Sequence, residues 1–149
     1  GNGPLTDHLR ELAHGLGVGR RVHFLGFIPD QLLPAHYQAC HVFCLPSVTS
    51  AEAFGIVQVE AMASGKPVVS TRLNNGVDFV NEHGKTGLTV QPGDPVALAA
   101  ALLDLLNDGA KARMMGAAGQ VKAANEYSAG KMADKMLKIY RSAAGSKVG

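Results

Sequence analysis

In the stretch SAEAFGIVQVEAMASGKPVV, residues 50–69, two glutamates, Glu52 and Glu60, are separated by seven residues of an otherwise apolar, glycine-flanked segment. From Gly55 the pattern predicts a helix to about Ser64, with Ile56, Val57, Val59, Ala61, Met62 and Ala63 spread over every side. Gln58 and Glu60 lie roughly 200° apart around such a helix, so no single solvated face serves both. A helix apolar all round is expected to be buried nearly all round. A polar group without partners there costs on the order of 2–7 kcal/mol, so Glu60 requires a structural donor or a ligand hydroxyl. Glu52 precedes the helix, where a carboxylate gains ~0.3–1 kcal/mol from the helix dipole. The free amides of Phe54-Gly55-Ile56-Val57 offer an anion site at the same place, suited to a diphosphate. Phosphates on the helix start, ribose on Glu60 and a neutral sugar on Glu52 would sketch a nucleotide diphosphate-sugar. On the residues alone both readings of Glu52 stand.

The elements that position this pair alternate in type. Pro4 suits the first turn of a helix through Leu5, Leu9, Leu12, Ala13 and Leu16, stopped by Gly17 and Gly19. Val22-His23-Phe24-Leu25 reads as a strand ended by Gly26, and Pro29-Asp30 opens a helix carrying Leu32, Leu33, Tyr37 and Ala39. His41 to Leu45 is the next strand, broken by Pro46. Strand 67–70, a short helix from Gly76 to Asn81 and strand 87–90 follow the glutamate segment. From Asp94 onward the pattern is helical, over about 95–107, 109–125 and 129–142, with residues 145–149 expected to fray. Four short apolar strands separated by helices predict an α/β chain, a doubly wound, Rossmann-like parallel sheet covered by helices on both faces. Ligands of such sheets sit beyond the carboxyl ends of the strands, which includes the loop from Pro46 to Gly55.

Composition sets the limits. The 149 residues are one domain's worth of chain, 46% hydrophobic and 17% charged, as in ordinary soluble globular proteins. No segment approaches the ~20 apolar residues of a membrane span. Cys40 and Cys44 lack companions at zinc-site spacing and are expected to be free thiols in a reducing compartment. With 5% aromatic residues and no Trp, the chain offers no row of stacking platforms for nucleic acid. Residues 1–110 carry 6 Lys and Arg against 10 Asp and Glu, whereas 111–149 carry 8 against 2. That basic end is expected to be a solvated helix face, with peripheral contact to anionic lipid as the alternative.

The chain resembles the donor-binding, C-terminal half of retaining glycosyltransferases of family 4, which have the GT-B fold. The resemblance rests on RVHFLGFIPDQLLPAHYQACHVFCLPS, EAFGIVQVEAMASGKPVVST and HGKTGLTVQPGD, and with the opening GNGP and the final helices it covers essentially the whole chain. It implies that Glu52 lies by the transferred sugar and takes the catalytic position. It implies that Glu60 holds the ribose hydroxyls, and that Phe54, Gly55, Ile56 and Val57 form the segment whose backbone meets diphosphate and sugar. Ile28 and Asp30 fall in the loop that receives the nucleobase. Asp30 could accept from the N–H edge of a guanine, but its simpler role is N-cap of the following helix.

The implied reaction is hexosyl transfer with retained anomeric configuration, through an oxocarbenium-like state, the leaving diphosphate helping to deprotonate the acceptor. No Asp-x-Asp occurs, so no metal site is expected, and no cofactor beyond the donor substrate. The resemblance also implies that the sheet's first strands, the phosphate-clamping Arg and Lys, and an acceptor-binding N-terminal domain lie upstream of Gly1. On this reading the chain is a single, truncated donor-binding domain that binds donor weakly and transfers nothing by itself. The acceptor, whether glycan, lipid or small molecule, stays unassigned. The unpaired sheet edge is a route to homodimers, and the expected location is cytoplasmic, with membrane association through the basic end as the alternative. Rival readings are a nucleotide-sugar epimerase of the same plan and a non-catalytic binding module that keeps the fold.

Overall fold

A computed structural model describes residues 2–145 and divides the chain into two compact units, Gly1–Ala35 and His36–Gly149. In the first, α1 (Thr6–Gly15) ends where Gly17 turns left-handed at φ 69°. A 3-10 turn at Gly19–Arg21 follows, and the Arg10 guanidinium lies 5.1 Å above the Phe24 ring.

Two expectations fail in this unit. Val22 to Leu25 is not a strand, because a strand exists through its ladder and no described strand pairs with these residues. Asp30 is not an N-cap either. Pro29, extended at ψ 143°, takes the cap position of a 3-10 turn at Asp30–Leu32, and no side chain accepts a cap bond. Asp30 therefore falls inside the first turn, where its charge meets the helix dipole but no capping N–H.

The second unit is a three-stranded parallel sheet, not the four strands the pattern suggests. Helix α2 (Leu33–Ala39) leads into β1 (Phe43–Leu45), and α3 (Ile56–Ala63) connects it to β2 (Val68–Thr71). Then come α4 (Gly76–Val80), β3 (Gly87–Val90), α5 (Pro95–Asn107), α6 (Gly109–Glu126) and α7 (Ala129–Gly145). Beyond Gly145 the expected fraying lies outside the described residues. The order is β1-β2-β3, with Phe43 opposite Val68 and Val68 opposite Gly87.

Alternation along β2 builds the two layers. Val68 packs with Ala61, Met62, Val80 and Ala123, whereas Val69 packs with Leu88, Ala101, Leu105 and Met115. Burying such aliphatic side chains contributes ~1.5–3 kcal/mol each. Helix α6 comes so close to the turn after α3 that a Cβ on Gly116 would stand 2.2 Å from the Gly65 carbonyl oxygen. Asn81, fully buried, donates to the Val68 and Leu88 carbonyls and to Ser70 Oγ, and so joins both strands beyond α4. Among the described residues no helix is long and apolar enough to cross a membrane.

Candidate functional site

The loop from Pro46 to Gly55 leaves the carboxyl end of β1 and ends in a left-handed residue. Gly55 has φ 68° and ψ 59°, and a Cβ there would meet Leu45 Cδ2 at 2.7 Å and Gln58 Nε2 at 2.8 Å. Only glycine fits both the angle and the space. The Gln58 N–H closes onto the Gly55 carbonyl at 2.8 Å. Among the described residues the amides of Ile56 and Val57 have no acceptor, as the first turn of a helix requires. Ile56 is 65% exposed and Val57 half-buried.

Glu52 stands at this helix start as the sequence predicts, and its carboxylate is already engaged. Its Oε1 accepts from the Gly55 N–H at 2.9 Å. The loop is held from behind as well. The Glu52 carbonyl accepts from Asn75 Nδ2 at 2.8 Å, and Asn75 Oδ1 accepts from the Val77 N–H at 3.0 Å as N-cap of α4. Gly76 permits this approach, since a Cβ there would lie 2.4 Å from the Ala53 carbonyl oxygen. Asp78 braces the same corner by accepting from Leu73 and Asn74 amides at 3.2 and 2.6 Å.

Glu60 lies one helical turn above Ile56, about 6 Å along the axis. It is half-buried, and its Oε2 accepts from the Tyr37 hydroxyl at 2.7 Å. The structural donor that an apolar helix demanded is therefore present. Among the described residues Oε1 has no partner. Burial, and then the bond to Glu60, push Tyr37 above the ordinary tyrosine range. The Tyr37 ring in turn packs against Phe43 with centroids 5.6 Å apart.

The all-round burial expected of α3 does not occur. Gln58, Ala61 and Met62 are buried, Ile56 and Ala63 are exposed, and the rest are intermediate. The polar Gln58 is the residue that disappears inside. Its Nε2 reaches the Phe54 and Val77 carbonyls, each at 3.4 Å, and its Oε1 has no partner among the described residues. Gln58 shares one helix face with Ala61 and Met62, at i, i+3 and i+4, and that face is the buried one, which an apolar count does not foresee.

The structure thus brings Glu52, Phe54, Gly55, Ile56, Val57 and Glu60 onto one loop and helix of the second unit. Ile28, half-buried, and Asp30, exposed, belong to the first unit. Phe54 is 40% exposed and meets Tyr127 edge-on at 5.7 Å. Sequence reasoning missed Tyr37, Gln58 and Asn75. For Tyr37 the signal was the need for a donor beside Glu60; for Asn75 it was an Asn-Gly pair ahead of a short helix. Both thiols are half-buried and free, and burial raises the pKa of each. Among the described residues no group of His, Cys, Asp or Glu is placed to hold a metal ion.

Comparison with known proteins adds the following. The sequence pattern of the family described as glycosyl transferases group 1 matches residues 1–122. A D-inositol 3-phosphate glycosyltransferase of Corynebacterium diphtheriae is 39% identical over 139 residues, which are 93% of this chain and 32% of that protein. The chain therefore spans about a third of the length of the curated relatives it matches. Sucrose-phosphate synthase from Thermosynechococcus elongatus superposes with a TM-score of 0.86 at 31% identity, over 99% of this chain and 38% of that one. HepE of Anabaena, solved in complex with UDP-glucose, superposes with a TM-score of 0.83 at 30% identity, over 91% and 36%.

Proposed function

Because the chain belongs to the family of glycosyl transferases group 1, we propose that it forms the donor half of a glycosyltransferase site. It binds a nucleotide diphosphate-sugar and presents the sugar for hexosyl transfer, with retention, to an acceptor held elsewhere in a longer protein. The observation that carries this reading is the start of α3, where the amides of Ile56 and Val57, without an acceptor among the described residues, fall in the chain between Glu52 and Glu60.

Each group has one task. The amides of Ile56 and Val57 meet the diphosphate and sugar, where the helix dipole favours negative charge, while the Gly55 N–H stays on Glu52 and the missing side chain at Gly55 lets the ligand approach. Glu60 Oε1 accepts from the ribose hydroxyls while Tyr37 holds Oε2. Glu52 accepts from a sugar hydroxyl, and Phe54 walls the sugar side. As the bond from the anomeric carbon to the diphosphate breaks, charge grows on the leaving oxygen and the helix start stabilises it. The acceptor oxygen bonds to the same face of the anomeric carbon, and its proton passes to the departing diphosphate. The reading invokes no cofactor beyond the donor. The UDP-glucose in the HepE complex supports a sugar nucleotide as ligand, and the name of the inositol phosphate enzyme supports a polyol phosphate as one kind of acceptor.

Titration of the chain with UDP-glucose and GDP-mannose, followed by amide NMR, tests it. The expected shifts lie at residues 52–60 and are lost in Glu60→Gln. Saturable binding elsewhere, unchanged in that variant, overturns the site; no shift from either donor at millimolar concentration overturns donor binding by this chain.

A further inference from the structure

Asn75 is the group outside the proposed donor contacts whose geometry reaches furthest into them. Its two side-chain atoms do different things. Oδ1 caps α4 through the Val77 N–H at 3.0 Å, and Nδ2 donates to the Glu52 carbonyl at 2.8 Å. A flipped amide would set like against like at both ends, so the pair of contacts fixes its orientation. The residue capped and the residue held lie 25 positions apart in the chain. They meet because Gly76 leaves room for the Ala53 carbonyl and because Asp78 fixes the Leu73 and Asn74 amides. The Glu52 side chain, whose carbonyl is thus pinned, closes on the Gly55 N–H at 2.9 Å. The chain of contacts runs from the β2–α4 corner through Asn75 to Glu52 and on to the start of α3.

We infer that Asn75 is the positioning residue for Glu52: its amide nitrogen sets the backbone from which that carboxylate reaches the helix start. The capping by its amide oxygen is a separate task. Any Asn, Asp or Ser would cap α4 about equally well. Only a donor satisfies the Glu52 carbonyl. This inference rests on the donor-site reading above for its consequence, but not for its geometry.

The two tasks separate by substitution. Asn75→Asp keeps the cap acceptor and replaces the donor by an acceptor; Asn75→Ser keeps a capping oxygen and withdraws the reach without adding charge. Both variants and the parent are compared by amide NMR without ligand and by titration with UDP-glucose and with UDP. The expected result is a displaced Gly55 amide resonance in both variants, with the Val77 amide and the thermal midpoint close to the parent's. UDP-glucose then binds roughly fivefold more weakly, as for one lost hydrogen bond, while UDP affinity is unchanged. A Gly55 resonance that stays in place in both variants overturns the inference and leaves the donor reading intact. So does equal weakening of UDP and UDP-glucose, which would mark Asn75 as merely structural. If the parent binds neither nucleotide, the donor reading fails alone, and the ligand-free Gly55 shift still decides the role of Asn75.

Discussion

The Tyr37 hydroxyl donates to Oε2 of Glu60 at 2.7 Å, joining the end of α2 to the second turn of α3. One oxygen of the carboxylate is thereby satisfied within the protein. Removing either partner strands the other in a half-buried setting. Tyr37→Phe and Glu60→Gln are each expected to lower unfolding free energy by about 1 kcal/mol, and a double-mutant cycle should return a coupling of ~0.5–1.5 kcal/mol. Additive effects in denaturant melts would mean that the bond contributes nothing.

The same pair predicts alkaline behaviour. Tyr37 is held above the ordinary tyrosine value of 10.0, chiefly by burial and next by Glu60. A folded-state pKa above the unfolded one contributes stability that is complete below the unfolded value and is lost as pH rises through the folded value. Stability should therefore decline above pH 10, and less steeply in Tyr37→Phe. Tyrosinate absorbance, read together with the unfolding midpoint across that range, checks both statements.

At the acid end the relevant group is Glu82. Its carboxylate lies 2.6 Å from Lys122 Nζ and 2.9 Å from Lys85 Nζ, and those two bonds hold its pKa below the ordinary 4.5. A depressed carboxyl adds stability that is complete above the unfolded value and is lost as pH falls through the folded one. Glu82→Gln should flatten the acid limb of the stability profile below pH 4.5. Lys122, itself buried, also donates to the Phe79 carbonyl at 2.6 Å, so Lys122→Met should lower stability at neutral pH as well.

Gly55 is the residue at the helix start least able to change. Alanine in its left-handed conformation costs about 1–2 kcal/mol before any contact is considered. The added methyl would then press on Leu45 and Gln58 at 2.7 and 2.8 Å. Gly55→Ala should lower the thermal midpoint and abolish donor-induced shifts together. A stable Gly55→Ala chain that still binds donor would show that α3 can begin in another way.

The sequence made the sheet's inner part legible because it is local. Val68, Val69, Leu88 and the helices from Pro95 onward carry their own periodicity and breakers, and they fold as read. The glutamate pair was legible for a different reason, since a carboxylate in an apolar helix is costly wherever the chain goes. Val22 to Leu25 was misread because β character depends on a neighbouring strand, which no window of sequence contains. Asp30 was misread because Pro29 holds the capping angles one residue earlier. The inversion of Gln58 and Ile56 on α3 follows from which face is buried, that of Gln58, Ala61 and Met62, and the choice of Tyr37 as donor follows from how its ring packs against Phe43 of β1.

Asn75 is followed by Gly76, and that succession limits how often the chain can unfold and return. In an open chain the unhindered Gly76 nitrogen attacks the Asn75 side-chain carbonyl carbon, ammonia leaves, and water then opens the ring to aspartate or isoaspartate. Folded, the same amide is pinned at both ends, by Val77 and by the Glu52 carbonyl. Chains that have spent time unfolded at high pH would come back without the donor nitrogen that Glu52 leans on. Deamidation at position 75 should thus accumulate with every heating cycle rather than with time in the folded state, and peptide mapping separates it from the exposed Asn2-Gly3 pair.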